Sequence, residues 1–514
     1  MRHKTYGFLL CFLFFFQDTI AQQIGMPHTH QFRVEAGAYA SSNEQLPFWL
    51  RANQYGIVPL TGPLATLRVG AYSDYRKPYL DGSQLKKKTF DWGYGVELVG
   101  NGGGKEQAFL LPEAYVKARL GIIELYAGRR REIIGLADTT LTSGSYAWSG
   151  NALPIPKIQI GTPGFVPVPF TKNLFSVNAF YSHGWFNNQG LVKDYFLHQK
   201  ALYVQLGKST WPFRLYGGIN HNVQWGGNSK VLSSAVAING QLPSRLKDYW
   251  YVVSSQTRSF MEDTTVRTSM EDNRIGNHLG SVDIGLDFTM GDFNVLVYRQ
   301  NLYDDGSLFL LTNIADGLNG LRIQNRRMQR SAFHVKELLA EFLYTKSQGG
   351  DVFLLIPGRG DLRGRDNYFN HSQYIDGWTV NDKIIGSPFL TPRNETDLGT
   401  GAPQAIANNR LSMFHLAANG LVGERTEWMV KASYSRNFGT YDRPFADRAD
   451  QLSLLLNVSV PFRLRGLGEM KVNTSLALDQ GNLFRNTTGI YIGLRKELFS
   501  GPSIAPPFMV PGQN

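Results

Sequence analysis

Cysteine is almost missing from this sequence. The one example among 514 residues is Cys11, and it lies inside an N-terminal leader. Arg2, His3 and Lys4 give a basic start, Tyr6–Phe16 is an unbroken apolar run, and Thr19-Ile20-Ala21 offers a small-residue exit before Gln22. That is the pattern of a secretory signal peptide over residues 1–21, too short to span a bilayer as a helix. Cys11 sits within the apolar core and not at its end, which argues against a lipoprotein anchor. Cleavage leaves no cysteine, and so excludes disulfides, cysteine-ligated metals and thiol catalysis together.

Long apolar runs are missing too. Beyond the leader no stretch reaches ~18 consecutive apolar residues, so no transmembrane helix is expected. Charge is sparse, at 18% against a typical quarter. What charge there is leans positive, with a formal net of +11; loss of Arg2, Lys4 and Asp18 with the leader lowers it by one. For an exported chain this makes nucleic acid a poor partner and favours acidic polysaccharide, lipopolysaccharide phosphate or anionic lipid.

Aromatic residues and glycine are plentiful: 24 Tyr, 32 Phe and 54 Gly, with a mean hydropathy of −0.23. They fall into an alternating pattern. Phe90, Trp92, Tyr94, Val96 and Leu98 alternate with Asp91, Gly93, Gly95 and Glu97; Val282, Ile284, Leu286 and Phe288 alternate with Asp283, Gly285, Asp287 and Thr289. A period of two means strands with one apolar and one small or polar face. A sandwich and a transmembrane barrel share this pattern. Many strands of ~9–13 residues in an exported chain without another anchor favour the barrel. The reading is all-β: a transmembrane antiparallel β-barrel of about 18 strands with a periplasmic or luminal plug.

Counting back from a periplasmic C-terminus gives strands from 487–497 to 64–76, including weaker ones at 308–314, 321–328 and 350–357. Residues 22–63 then form an N-terminal periplasmic segment, 64–499 the barrel and 500–514 a tail. The Pro-rich 131–173 becomes a plug segment on the periplasmic side, and 223–278 and 358–410 become long external loops. The count places the tight turn at Gly121 outside, where a long loop is expected. Phe499, closing the last strand, resembles the signal read by barrel-assembly machinery. Apolar spacing at Leu242, Leu246, Tyr249, Trp250 and Val253 suggests a short helix, external by the count but internal if it belongs to a plug.

No chemistry-bearing motif survives inspection. Gly100–Lys105 fails the phosphate-loop spacing and reads as a hairpin turn. His28 and His30 have no third ligand in reach and read as a mobile N-terminus. No nucleophile elbow is present. Asp361, Asp366, Asp376 and Asp382 could pair for acid–base work, but loop solvation or Arg pairing accounts for them more simply. No enzyme activity, cofactor or metal is expected.

The densest polar-aromatic run is GRDNYFNHSQYIDGW, Gly364–Trp378. Two readings remain open. Aromatic faces with Asn, Asp and Arg suit a sugar, and Arg359, Arg363 and Arg365 could clamp carboxylates. Alternatively the run folds into the lumen as a plug. With IIGSPFLTP after it, and with PFWLRANQYG (Pro47–Gly56), TSGSYAWSGNALPIPKIQI (Thr142–Ile160) and GGINHNVQWGG (Gly217–Gly227), the run resembles the capsule assembly protein Wzi family, especially its Bacteroidota members. The resemblance implies an outer-membrane barrel with a plug, acting as a lectin for capsular or surface polysaccharide, with outer-membrane lipid around it. The residues expected to touch polymer are Arg365, Asp366, Asn367, Tyr368, Asn370, Tyr374 and Trp378, then His221, Gln224 and Trp225. The competing expectation is an outer-membrane pore for oligosaccharides or small solutes, which requires an open lumen.

Overall fold

The computed structural model describes residues 28–500 apart from 77–78, 82–83, 87–88, 104–107, 188–189, 257–273, 305–306, 328–331, 353, 356–361 and 400–403. The expected leader and tail, and Arg359 and Asp361, lie outside the described residues.

Alternation produces one closed sheet. Its strands are β1 His30–Ser41, β2 Leu64–Ser73, β3 Phe90–Gly102, β4 Phe109–Leu120, β5 Ile123–Arg129, and β6, formed by Lys157–Gly161 and Val166–Pro167. They continue as β7 Phe175–Trp185, β8 Phe196–Leu206, β9 Phe213–Trp225, β10 Asn277–Met290, β11 Phe293–Asp304 and β12 Gly317–Asn325. The last six are β13 Phe333–Tyr344, β14 Leu411–Val422, β15 Thr426–Gly439, β16 Pro444–Leu464, β17 Gly468–Gly481 and β18 Thr487–Ser500. Each pairs antiparallel with its neighbours, and β1 pairs with β18 from His30↔Ser500 to Ser41↔Gly489, closing an 18-stranded barrel. Closure leaves no sheet edge unpaired.

The apolar face points outward. On β3, Phe90, Trp92, Val96 and Leu98 are exposed, whereas Asp91 and Glu97 are buried. Ile490, Ile492, Leu494 and Leu498 do the same on β18. A water-soluble barrel would invert this, so the outer wall is built for lipid and the lumen for polar groups.

Two expected strands are not strands of the barrel. Residues 307–310 form a 3-10 turn, and Leu354–Leu355 pairs with Leu362–Arg363 outside the main sheet. Two strands left out of the expected barrel replace them. β1 was assigned to a periplasmic segment, and β6 to the plug, because prolines interrupt the sequence around both. The total is unchanged, but the side of several segments changes. Both described chain ends lie at one rim. Residues 42–63 and 130–156 emerge at the opposite rim, together with 226–276 and 345–410. With β6 counted, the Gly121 turn falls at the terminal rim beside the other short turns. The expected mobile N-terminus is also ordered: His30 opens β1, and the His28 ring lies 4.8 Å from Trp92 with Nε2 3.4 Å from Asp91.

The arm 130–156 descends into the lumen because the lumen wall is polar and must be matched. Leu136 N–H donates to Asp283 (2.7 Å), Tyr146 N–H to Gln300 (2.9 Å), and Lys431 to the Thr142 carbonyl (3.3 Å). The His415 Nε2 lies 2.8 Å from the Leu141 carbonyl. Glu341 on β13 accepts from Thr142 Oγ1 (2.7 Å), Ser143 N–H (2.6 Å) and Tyr298 Oη (2.5 Å). At the base of the arm Glu132 is fixed by Lys157 (2.6 Å) and by Arg130 (2.8 Å). Burial alone would raise the Glu132 carboxyl, but these two cations overcome it and hold its pKa at about 2.

Glu341→Ala strands three buried donors, a loss of about 3 kcal/mol or more. The expected outcome is a lower temperature for loss of the folded band in heat-modifiability gels. An unchanged midpoint would show that the lumen wall does not hold the arm.

Candidate functional site

Three segments meet at the rim opposite the chain ends: 46–58, 134–155 and 364–409. The short helix α1, Phe48–Arg51, docks through Phe48 N–H to Asp479 (2.7 Å) and through Arg51, ion-paired with the buried Glu395. Phe48, Trp49, Tyr146, Trp148, Phe389 and Leu390 belong to one buried apolar cluster across this end of the lumen. Gly386 shows how closely the chains approach, since a Cβ there would lie 2.1 Å from the Tyr146 carbonyl oxygen. Only glycine fits the IIGSPF turn.

The Gly364–Trp378 run belongs to that core. Tyr368, Phe369, Tyr374 and Trp378 are all at most 2% exposed. The rings of Tyr368 and Phe369 meet Tyr146 edge-on at 5.8 and 5.2 Å. Tyr374 Oη donates to the Gly226 carbonyl (3.1 Å). Asn370 pairs with Ile406 through both its amide oxygen and its amide nitrogen, each at 3.0 Å. Asp366 accepts from Ser307 (2.7 Å). These expected contact residues are therefore unavailable to a polymer at the surface; aromatic side chains this large stay inside when a polar lumen surrounds them. The second set is also buried, and it is divided. Gln224 points inward to the Gly377 carbonyl (2.9 Å), whereas His221 and Trp225 lie on the outer wall beneath a helix.

Arg365 and Asn367 remain half-exposed. Arg365 ion-pairs with the exposed Asp442 (2.8 Å), and Asn367 reaches the same carboxylate at 3.4 Å. Around them stand residues the sequence did not single out. The Arg410 guanidinium lies 3.7 Å from the Tyr441 ring, and Lys346 lies 4.1 Å from the Phe438 ring. Cations stacked on aromatics beside the Asp442 carboxylate make this surface basic. The signal was faint, because Lys346 and Arg410 stand at opposite ends of one long connection and Tyr441 comes from another. Arg365 has φ 54°, a left-handed conformation that costs a non-glycine residue about 1–3 kcal/mol. Its N–H donates to the Gly350 carbonyl (2.9 Å), which holds it there.

A second accessible feature is a polar cleft of about 130 Å³. Asn187, Asp376, Thr379, Asn381, Asp382 and Arg393 line it. Asn381 and Asp382 form the tip of a hairpin, with φ 51° and 58°, the backbone a two-residue turn with both central φ positive demands. Asp376 accepts from Val192 N–H (2.9 Å), and Asn187 donates to Asn381 (2.7 Å). Among the described residues no group of three His, Cys, Asp or Glu stands together as a metal site.

Beneath this surface Asp316 ties the run to the barrel. It accepts from Ser347 N–H (2.9 Å), Gln348 N–H (2.7 Å) and Tyr368 Oη (2.8 Å). Burial raises its carboxyl to about 6, and the three hydrogen bonds only partly offset this.

Fold and site define a class: a closed transmembrane-type β-barrel with a polar lumen, stoppered at one end by its own long connections. The model of the capsule assembly protein Wzi family matches residues 31–400, and the chain belongs to that family. Among solved structures it is similar to Wzi of Escherichia coli, described as an outer membrane protein involved in group 1 capsule assembly and a carbohydrate-binding β-barrel. The identity is 14%, the TM-score 0.56, and the match covers 90% of this chain and 84% of that one. Less similar are OccK5 (OpdH) of Pseudomonas aeruginosa, at 8% identity, 92% and 98% coverage and a TM-score of 0.44, and OccAB4 of Acinetobacter baumannii, at 10%, 93% and 99%, and 0.45. No curated protein matches the chain.

Two outcomes are expected. Trp378→Ala costs about 3–5 kcal/mol as a core truncation, so it lowers the folded yield of the barrel whatever ligand is present. For Asp316 the sign follows from its raised pKa. The native state holds the proton more tightly, so stability rises as pH falls from about 6 toward about 4. The wild type should gain against Asp316→Asn over that window, read as the difference in unfolding midpoints at each pH. A constant difference would overturn the assignment.

Proposed function

We propose that the protein is a non-enzymatic outer-membrane lectin for an exported, acidic surface polysaccharide, which it helps to attach or assemble at the cell surface. The observation that carries this reading is the stoppered rim. Aromatic mass that would otherwise line a pore is spent on closing the barrel, and what is left accessible is basic and polar. Family membership and the printed description of the Escherichia coli relative support the same reading.

In this reading the rim bearing 345–410 faces outward and the chain ends face the periplasm, as short turns at one end and long loops at the other suggest. Arg365, Lys346 and Arg410 meet the carboxylates of the polymer, with Tyr441 and Phe438 as sugar-facing rings, and Asn367 serves beside them. The cleft at Asp376 and Asn381 takes sugar hydroxyls. Each contact is weak, and repetition along the polymer supplies the hold. The closed mouth disfavours the pore reading.

The test is retention of surface polysaccharide in a deletion strain complemented with wild type, Arg365→Ala/Arg410→Ala or Trp378→Ala. Polymer should shed from the deletion strain and from the double arginine variant, with that variant still folded and present in the outer membrane. Full retention in the deletion strain would remove the capsule role. Full retention by the arginine variant alone would move the site to the cleft.

A further inference from the structure

The outer wall of the barrel carries a wide polar gap in its apolar belt. Across β7, β8, β9 and β10 the pairing register stacks the outward residues in rows. One row is Ala179, Leu202, Ile219 and Val282. The next row toward the stoppered rim is Tyr181, Lys200, His221 and Gly280; the next is His183, His198, Val223 and His278. Above them stand Trp185, Phe196 and Trp225, an aromatic row of the kind that marks a membrane boundary. One ammonium and four imidazoles thus lie between the apolar belt and its aromatic border, on the side that faces lipid. Uncovered, they would be costly there.

They are covered. A nine-residue helix, α2 Leu246–Ser254, lies flat over these rows on the outside of the barrel. The Tyr249 ring packs 4.9 Å from Trp225, 5.6 Å from His198 and 6.0 Å from His183, and its hydroxyl meets that of Tyr181 at 2.7 Å. Val252 is buried with Val223, Trp225 and Ile275. Lys200 donates to the Val253 carbonyl and Ser255 Oγ lies 3.2 Å from His221 Nε2, so the polar wall caps the helix C-terminus. The N-terminus is closed by Asp248, which accepts from Arg245 N–H (2.9 Å). Leu246 and Trp250, one turn apart on the opposite face, are 87% and 63% exposed.

We propose that α2 is a membrane-interface helix whose occupant is bilayer lipid. Leu246 and Trp250 enter the acyl boundary and restore the belt that the histidine rows interrupt, continuous with Tyr181, Trp185, Leu202 and Ile219. Lys247, exposed beside them, extends its ammonium to headgroup phosphate. The helix settles neither above the rim in water nor inside the lumen, the two sides its sequence left open. This inference rests on the membrane-barrel reading.

The test uses the full chain with Cys11→Ala and a nitroxide attached at Trp250→Cys, Leu202→Cys or Ser234→Cys, refolded into phosphatidylcholine–phosphatidylglycerol vesicles. Collision with oxygen is compared with collision with a water-soluble nickel chelate. The label at 250 should resemble that at 202, with an oxygen-to-nickel ratio several-fold above that at the loop position 234. A ratio at 250 equal to that at 234, with 202 still in lipid, overturns the helix assignment alone. A label at 250 shielded from both reagents means that a second copy of the chain covers the helix, which also overturns it. An aqueous label at 202 overturns the membrane barrel itself. Each position is an exposed side chain on the outer wall, the helix or a loop, so labelling leaves the packed core intact.

Discussion

The pairing of the first strand with the last, His30↔Ser500 through Ser41↔Gly489, is the constraint on which everything else depends. In lipid no backbone group can turn to water for a partner, so a sheet must close or not insert. Closure turns the large apolar residues outward and leaves a lumen of Asp, Glu, Asn, Gln and Ser. That lumen creates a demand of its own. Asp283, Gln300, Glu341 and His415 would sit facing one another across an empty bore, and the arm 130–156 meets them with its backbone. The plug and the barrel are two consequences of one inside-out arrangement.

The same logic explains why the aromatic residues of Gly364–Trp378 are not a sugar platform. A ring in this protein can go to lipid, to the surface of the mouth, or into a shared core formed where the three rim segments cross. Tyr368, Phe369, Tyr374 and Trp378 take the third course, and by doing so they set the height at which Arg365 and Asn367 reach the surface. The Tyr368 hydroxyl donates to Asp316, its carbonyl accepts from Asn409, and the Tyr374 hydroxyl donates to the Gly226 carbonyl. The half-exposed cations around Arg365 stack on Phe438 at the end of β15 and on Tyr441 just after it, so this accessible surface is assembled by the fold and not written in one motif.

Much of this was legible beforehand. Alternation in stretches such as those of β3 and β10 identified the barrel, and the number of strands came out right. The individual strands did not all do so. Two prolines beside Lys157–Gly161 hid β6, and a polar, proline-bearing stretch after Ser41 detached β1 from the barrel. The apolar runs at 308–314 and 350–357 looked like strands, but 307–310 is a 3-10 turn and Leu354–Leu355 pairs outside the main sheet. Two losses and two gains cancelled in the total, but not in the topology: each missing strand moved its neighbours to the wrong side, and the awkward Gly121 turn was the visible sign. The site was less legible. The run was singled out correctly as the centre of a loop, but sequence cannot weigh a ring's use as a core residue against its use as a ligand platform, because burial is decided by segments 200 residues away.

By itself, then, the sequence determined the class of structure. A period of two, repeated over long strands behind an export leader, can satisfy its backbone in a membrane only as a barrel, and that is local information summed along the chain. Only the tertiary structure decided which face of the mouth stays accessible, on which side each long segment emerges, and why His183, His198, His221 and His278 can stand on a lipid-facing wall. Those outcomes depend on register between strands and on a helix laid across three of them. Register is a relation between distant residues, fixed when the sheet closes and not before.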